Sequence, residues 1–346
     1  MLVPLQRYTK ALSTLQRSSL VEKSRQKPHQ RMSTLDDALK RSDYDSDPML
    51  KACGISIARN LTQIEGRILP APKLKAGNGE EFVPQKGRWN LARKKLIETC
   101  SVTRWAVVNF SARCDVLGLV QGLKRIAFGL GIKMEDPFDD VFEESPSSRR
   151  DPVSKRVEDM VAQDGVSESQ FTQVINIELE QIIEACKLLD ETWEPKFTVI
   201  VAQKNHHTRF FQTSPDNVPP GTVVDKQVCH PKNFDFYMCA HAGMIGTSRP
   251  THYHVLHDDI GFTADGLQEF VHLLSYVYQR STTAISVVAP IMYAHLAAAQ
   301  VGTFVRFEDM SDASSSQGGG HTSAGSIPVP EVPRLHKNVR SSMFFC

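Results

Sequence analysis

The sequence predicts an α/β protein, and three observations lead to that expectation. A strand-like apolar run over 102–111 is followed by an amphipathic helical pattern over 116–130. A second helical pattern, over 167–189, precedes the apolar run 197–202 (FTVIVA). Further strand-like runs alternate with helical patterns, in the order 234–239, 254–256, 264–278 (helical), 285–288 and 292–305 (helical). Strands and helices in alternation are typical of an α/β fold.

The N-terminal part reads differently. Residues 1–53 show helical spacing of leucines among polar residues, with helix starts predicted at Ser33 and Pro48. Residues 55–70 alternate enough to predict an extended strand, and the prolines and glycines that follow predict a connector. Residues 136–158 are charged and poor in core residues, which predicts a linker.

Length and composition limit the possible classes of protein. The 346 residues predict about two domains. The formal net charge of +1 argues against a histone-like polycation, and a hydrophobic content of 41% excludes a wholly disordered chain. Seven cysteines without a CxxC pair predict free thiols in a reducing compartment. The N-terminus has no apolar signal region, and the uncharged stretch 281–305 is interpreted as a buried strand and core helix, so no membrane is predicted.

A metal site is the first hypothesis for the histidines, because nine of the twelve lie between residues 206 and 295. Cys229-His230 and Cys239-Ala240-His241 offer four soft ligands, but their spacing matches no common zinc pattern. Polar histidines that line a groove are the favoured interpretation, and structural zinc is the alternative.

Basic residues on predicted loops suggest a second kind of site, one that binds phosphate groups. Lys204, His207 and Arg209 follow a buried strand directly. Arg249 lies in a Gly-Thr-Ser-Arg-Pro turn, whose N–H groups can also face an anion, and Arg280 follows two tyrosines. Such a mixture suits a phosphate backbone better than a small apolar ligand. A solvated charged face is the alternative.

Carboxylates near turns give the weakest signal. Asp164 precedes the long helical pattern, and Asp258-Asp259 follows a strand-like run. Each is interpreted on its own as structural, because two-metal phosphoryl chemistry needs several carboxylates around the ions.

Long motifs carry a resemblance to a known family. DGVSESQF (164–171), VAQKNHHTRFF (201–211), CHPKNFDFYMCAHAGMIGTSRPTHYHVL (229–256) and YAHLAAAQ (293–300) resemble the carboxyl half of a eukaryotic Argonaute PIWI domain. The opening segment and the closing MFFC resemble the plant branch associated with RNA-directed DNA methylation.

The resemblance implies a particular organisation. Residues 1–100 resemble the end of the PAZ region and Argonaute linker 2, residues 101–158 resemble the start of the MID domain, and residues 164–346 resemble the C-terminal part of PIWI. The expected architecture is a partial RNase H-like PIWI domain preceded by a helical and extended linker and a MID fragment. The family-like sequence breaks off near 160 and resumes at Asp164, as in an internal truncation.

The slicer centre of the family is implied only in part. That centre is an Asp, Glu, Asp, His set that holds two Mg²⁺ ions; Asp164 matches its second Asp and His295 matches its His. No match exists for the first Asp or the Glu, and the segment before Asp164 reads as helix rather than strand. The MID motif for the guide 5′ phosphate is also missing. Mg²⁺ is therefore expected in the intact family but not in a productive site here.

The resemblance also implies guide-contacting positions. These are Lys204, His207, Arg209, His241, Arg249, Tyr278, Arg280 and Ser286. Met292 and Gln300 stand where relatives often have Tyr and Arg, which weakens the match there.

The expected function is small-RNA-guided silencing by a monomer that binds guide and target RNA without slicing. One alternative is an interaction module for Gly-Trp repeat proteins on the helix 167–189, and another is a truncated product that does not fold stably. The branch implies the nucleus, with a cytoplasmic share left open.

Overall fold

In a computed structural model, the described residues are 12–103, 105, 107–109, 115–137, 142–143, 171–302 and 343. They fall into two compact units. Unit 1 contains the described residues of 1–70 and 164–272, and unit 2 contains those of 71–163 and 273–346. Asp164 and the helix predicted just before it lie outside the described residues.

The elements confirm the predicted α/β class. The helices in chain order are Thr14–Ser24 (α1), Pro28–Ser42 (α2), Pro48–Ala52 (α3), Val116–Leu130 (α4), Phe171–Gln173 (α5), Glu180–Leu189 (α6), Ala264–Leu274 (α7) and Ala289–Gly302 (α8). A π-helical stretch, Val174–Leu179, joins α5 to α6. The strands are Arg67–Ile68 (β1), Leu74–Lys75 (β2), Glu81–Phe82 (β3), Ser101–Val102 (β4), Val108–Asn109 (β5), Lys133–Met134 (β6), Phe142–Glu143 (β7), Thr198–Gln203 (β8), Thr222–Val224 (β9), Asp235–Cys239 (β10) and Thr251–Asp258 (β11).

Unit 1 is built on an antiparallel sheet of five strands in the order β1-β9-β10-β11-β8. All five residues of β10 are buried. Because successive side chains of a strand point to opposite faces, both faces of the sheet are covered at β10. Phe236 stacks on the cross-strand Tyr253 with 5.3 Å between ring centroids, and both side chains are almost fully buried.

The short strand β1 is held to the sheet by one arginine. The Arg67 guanidinium lies 3.0 Å from a carboxylate oxygen of Asp225 and 2.8 Å from one of Asp265, and it donates to the side chain of Gln268. Gln268 is fully buried on α7 and donates to Asp225. This network joins the segment before residue 70 to the sheet and to α7.

The three N-terminal helices agree with the helical reading of residues 1–53 in the part that is described. Ser13 caps α1 through a reciprocal pair with Gln16, and Asp47 accepts from two N–H groups at the start of α3. The start predicted at Ser33 is wrong, because α2 begins at Pro28 and runs through Ser33. Proline suits that first helical position, where its missing N–H has no partner in any helix.

Unit 2 contains short paired strands. The strands β2 and β3 form an antiparallel pair, whereas β4 with β6, and β5 with β7, pair in parallel. Helix α4 lies between β4 and β6 in the chain, with the bounds that the sequence predicted. Most apolar side chains of α4 are exposed, including Leu117 (69%), Leu119 (62%) and Phe128 (82%).

Three predicted strands differ from the structure. Residues 102–111 do not form one strand: Ser101–Val102 pairs with β6 and Val108–Asn109 pairs with β7. Residues 285–288 form no strand, because their backbone serves loop contacts: the Ile285 N–H donates to the Ser275 carbonyl, and the neighbouring Ala284 N–H to that of Gly87. Of residues 55–70 only Arg67–Ile68 form a strand, since within the described part of the chain no strand lies opposite the rest. Among the residues described, no helix is both long and apolar enough to cross a membrane.

Candidate nucleic-acid interface

The loop after β8 carries the first predicted basic residues. Lys204 is half-buried directly after the strand, His207 is exposed and Arg209 is half-buried. The Arg209 Nη1 donates to the carbonyls of His206 (3.2 Å) and Thr208 (2.6 Å), so the side chain is held against its own loop. The sequence places these residues at a strand end, and the structure fixes where one of them lies.

The turn between β10 and β11 is ordered by one side-chain amide. Asn217 Nδ2 donates to the Gly246 carbonyl at 2.9 Å, and its Oδ1 accepts from the Ser248 N–H at 2.7 Å. Gly246 has φ of 70°, a conformation that favours glycine. The turn presents Arg249 to solvent, and the Arg249 Nη1 lies 3.4 Å from the Lys204 carbonyl. The two basic loops of unit 1 therefore lie side by side.

The electrostatics of this region add a residue that sequence reasoning missed. Burial lowers the pKa of the Arg209 guanidinium, and the positive charges of Arg249 and Arg31 lower it further. Arg31 lies on α2, and its Nε is buried without a hydrogen-bond partner among the described residues. We refer to Arg31, Lys204, Arg209 and Arg249 as the basic cluster.

The basic cluster has the character of an anion site. In the part of the chain that the structure describes, no ion pair with a carboxylate involves Arg31, Arg209 or Arg249. Guanidinium groups that repel one another are stabilised when a multivalent anion such as a phosphate backbone lies among them. Arg31 was not predicted because its sequence surroundings are those of an ordinary polar helix face.

His241 lies near the cluster but does not add charge to it. Burial lowers the pKa of its imidazole to about 4, and the Lys204 ammonium lowers it in the same direction. The ring is therefore neutral near pH 7, where it can donate or accept a hydrogen bond but not attract a phosphate as a cation. The pKa of His206 is also lowered, chiefly by burial.

The remaining predicted contact residues belong to unit 2. Tyr278 packs against Tyr293 with 5.2 Å between ring centroids, and the Tyr293 hydroxyl accepts from the Gln279 N–H at 2.9 Å. Arg280 is exposed on the turn that follows, and Ser286 is half-buried in the loop before α8. The predicted set is thus divided, with Lys204, His207, Arg209, His241 and Arg249 in unit 1 and Tyr278, Arg280, Ser286 and His295 in unit 2.

The predicted slicer remnant is only half described. His295 is half-buried on α8, whereas Asp164 lies outside the described residues. One carboxylate and one imidazole are too few donors for two Mg²⁺ ions, which take hard oxygen ligands and several carboxylates. Asp164 and His295 alone therefore do not fit the two Mg²⁺ ions that the resemblance implied.

The antiparallel sheet, its flanking helices and the basic cluster form an α/β module with a surface suited to nucleic acid. Among protein-family models, the Piwi domain matches residues 136–306 and the Argonaute linker 2 domain matches residues 30–76. The chain belongs to the Argonaute family, which acts in small-RNA-guided gene silencing.

Individual relatives support the predicted plant branch. Protein argonaute 4B of Oryza sativa subsp. japonica is 53% identical over 520 aligned positions, which cover 100% of this chain and 57% of that protein. Protein argonaute 4 of Arabidopsis thaliana is 44% identical over 521 positions, which cover 100% of this chain and 56% of that protein. The crystal structure of Kluyveromyces polysporus Argonaute with a guide RNA has the same fold, with a TM-score of 0.71 at 17% identity over 99% of this chain and 60% of that one.

The alignments also bear on the predicted internal truncation. The chain spans little more than half the length of its curated plant relatives. The alignment with the rice protein covers 520 positions while this chain has 346 residues, so at least 174 positions (520 less 346) have no counterpart here. These positions lie within the aligned stretch, in agreement with a chain that lacks an internal segment.

Proposed function

We propose that this chain binds the phosphate backbone of a small guide RNA through the basic cluster of unit 1 and does not cleave the paired target RNA. The observation that carries the proposal is the set of guanidinium groups on adjoining loops and on α2, which lack carboxylate partners within the described part. The family acts in small-RNA-guided silencing, and Kluyveromyces polysporus Argonaute was crystallised with a guide RNA.

The binding half of the proposal rests on charge. Each hydrogen bond between a charged side chain and a phosphate contributes about 1.5–3 kcal/mol, so three or four together can hold a single strand. Hydrogen bonds from Arg209 and Arg249 to backbone carbonyls reduce the side-chain freedom that RNA binding would otherwise restrict. Neutral His241 would contribute a hydrogen bond rather than a charge.

The absence of cleavage rests on the donor set. Without a second and third carboxylate, the repulsion between two Mg²⁺ ions and the cost of removing their water are not offset. In intact relatives Mg²⁺ would activate the water and stabilise the leaving oxygen. Here Asp164 and His295 remain as predicted remnants of that centre.

Fluorescence anisotropy of the full chain with a short 5′-phosphorylated RNA, over a range of salt concentrations, tests the binding half. Arg249→Ala should weaken binding about tenfold and reduce the slope of log K against log salt by about 0.7, the value for one lost phosphate contact on a single strand. Lys232→Ala is the matched control, because it removes the same charge from an exposed turn of the same unit; it should change neither quantity by as much.

Other results would contradict the proposal. Equal effects of the two substitutions would show only a general attraction between charges. Capture of a Gly-Trp peptide by a chain that binds no RNA would favour the interaction module, for which the exposed Ile177, Ile182 and Leu188 near α6 offer an apolar surface. Cleavage of a guide-matched RNA in Mg²⁺, lost in Asp164→Ala, would refute the non-slicing half.

Three further expectations remain proposals. The domain limits 1–100, 101–158 and 164–346 are tested by expressing the segments separately. A nuclear location is tested by imaging a fluorescently tagged chain. The monomeric state is tested by sedimentation.

A further inference from the structure

We propose that Asp235, His252 and His254 form a binding site for one divalent transition-metal ion of the zinc type. The site lies within the sheet of unit 1 and is separate from the slicer centre of the family and from the basic cluster. It does not depend on RNA binding. The sequence suggested a zinc site only at other residues, the pairs Cys229-His230 and Cys239 with His241.

The register of two neighbouring strands brings the three side chains together. Asp235 on β10 is directly opposite His254 on β11, and His252 is opposite Tyr237. Residues two apart on a strand share a face, so Asp235, His252 and His254 all point to the same side of the sheet. The two imidazole rings lean together, with 3.8 Å between their centroids.

The donor atoms are close enough for a common ion. One potential ligand atom from each of the three residues lies within 4.8 Å of the others, and Asp235 Oδ2 is 2.5 Å from His252 Nε2. Zinc bonds of about 2.0–2.2 Å to nitrogen and oxygen place tetrahedral ligand atoms about 3.4 Å apart. Entry of an ion therefore needs shifts of about 1 Å, which side-chain rotations supply. The ion would replace the direct contact between Asp235 and His252.

The surroundings resemble those of a preformed metal site. The three residues are 3%, 7% and 6% exposed, respectively. Aromatic rings pack on the imidazoles. The ring centroids of Tyr237 and His252 are 3.9 Å apart, and those of Phe171 and His254 are 4.9 Å apart. An apolar wall of this kind keeps bulk water away from a bound ion and strengthens its interaction with the carboxylate.

A backbone hydrogen bond also orients the Asp235 carboxylate. Asp235 Oδ1 accepts from the His230 N–H at 2.8 Å, which leaves Oδ2 directed at the imidazoles. The nearby Cys229 Sγ donates to the Val224 carbonyl at 3.5 Å.

The ligand set selects the class of metal. Two imidazoles and one carboxylate suit Zn²⁺, Co²⁺ or Fe²⁺, whereas Mg²⁺ and Ca²⁺ prefer oxygen ligands. Because the ligands come from β10 and β11, a bound ion would cross-link two neighbouring strands of the sheet. The expected role is structural, and binding should raise the melting temperature of the folded chain.

Titration of the full chain, made with a tag that has no histidines and first stripped with a chelator, tests the site. Zn²⁺ is followed by calorimetry, and Co²⁺ by its visible absorption. One ion should bind per chain, with a rise in melting temperature. Both His254→Asn and Asp235→Asn should weaken the affinity at least tenfold and abolish the rise, since each removes one of three ligands.

His257→Asn is the matched control, because His257 lies on the same strand but pairs with the exposed Asp259. It should bind the metal as the unchanged chain does. Circular dichroism shows whether each variant is folded, and Cys229→Ser, which keeps a donor for the Val224 carbonyl, gives a second folded control that should retain binding. Equal metal affinity in the ligand variants and the controls, or no binding by the folded unchanged chain, would overturn the proposal.

Discussion

Burial decides the protonation state of several histidines in unit 1. Burial holds His206, His241 and His272 in the neutral form by lowering their pKa values. A histidine matched to a guide-contacting position is therefore not a cation merely because its neighbours are. The distinction depends on the depth of each ring, which spacing in the sequence does not reveal.

At the residue scale, His241 should make the fold sensitive to acid. In the unfolded chain the ring binds a proton near pH 6.5, but in the folded chain only near pH 4. The contribution of His241 to the free energy of unfolding is therefore fully present above pH 6.5. It is lost as the pH falls towards 4, by at most about 3 kcal/mol. Urea unfolding at pH 7 and pH 5 measures this loss. In His241→Gln the free energy of unfolding should fall less between the two pH values.

The exposed His207, on the neighbouring loop, provides the comparison. His207→Gln removes an exposed imidazole and is the matched control for the substitution itself. If both substitutions had the same effect, the burial of His241 would not be the cause of the acid sensitivity.

At the element scale, β1 depends on a side chain more than on its own pairing. A strand of two residues makes few ladder hydrogen bonds, and Arg67 supplies the additional attachment to Asp225 and Gln268. The sequence predicted an extended segment there, but not its partner. The partner β9 lies more than 150 residues later, and only the folded chain brings it to Arg67.

Arg67→Ala should lower the free energy of unfolding by about 1–3 kcal/mol, because the buried Gln268 and the largely buried Asp225 lose a charged donor. Hydrogen exchange at the Leu69 N–H, which donates to the Gly221 carbonyl, should become faster.

The control for Arg67 is Asp265→Asn, which removes the exposed member of the same network. An exposed ion pair contributes about 0–1 kcal/mol, so this substitution should have little effect. A loss as large as that of Arg67→Ala would mean that the surface pair, rather than the buried one, holds β1.

At the scale of the whole molecule, an apolar helix of unit 2 lies largely exposed. Helix α4 has the apolar character of a core helix, but its side chains are largely exposed. A chain that lacks at least 174 positions of its relative has fewer residues with which to cover such a face. This is the physical basis of the alternative that the product folds poorly.

The exposed face of α4 should bind an apolar dye such as anilinonaphthalene sulfonate under native conditions. The double substitution Leu119→Lys and Phe128→Lys should reduce the dye fluorescence, with little change in circular dichroism, because both side chains are exposed. Met49→Lys, at an exposed apolar residue of α3, is the control. Unchanged fluorescence in the double variant would place the dye site elsewhere.

Sequence alone determined what is local or carried by long motifs. The bounds of α4, the strands β8 and β10, the family and its plant branch all followed from patterns within a few tens of residues. The failures lay where distant segments compete for the same backbone groups, as at 285–288, where loop contacts replace a ladder. Only the tertiary structure decided that Arg31 joins the basic cluster, that His241 is neutral, and that Asp235 meets His252 and His254. These properties depend on burial and strand register, which arise from contacts between residues far apart in the chain.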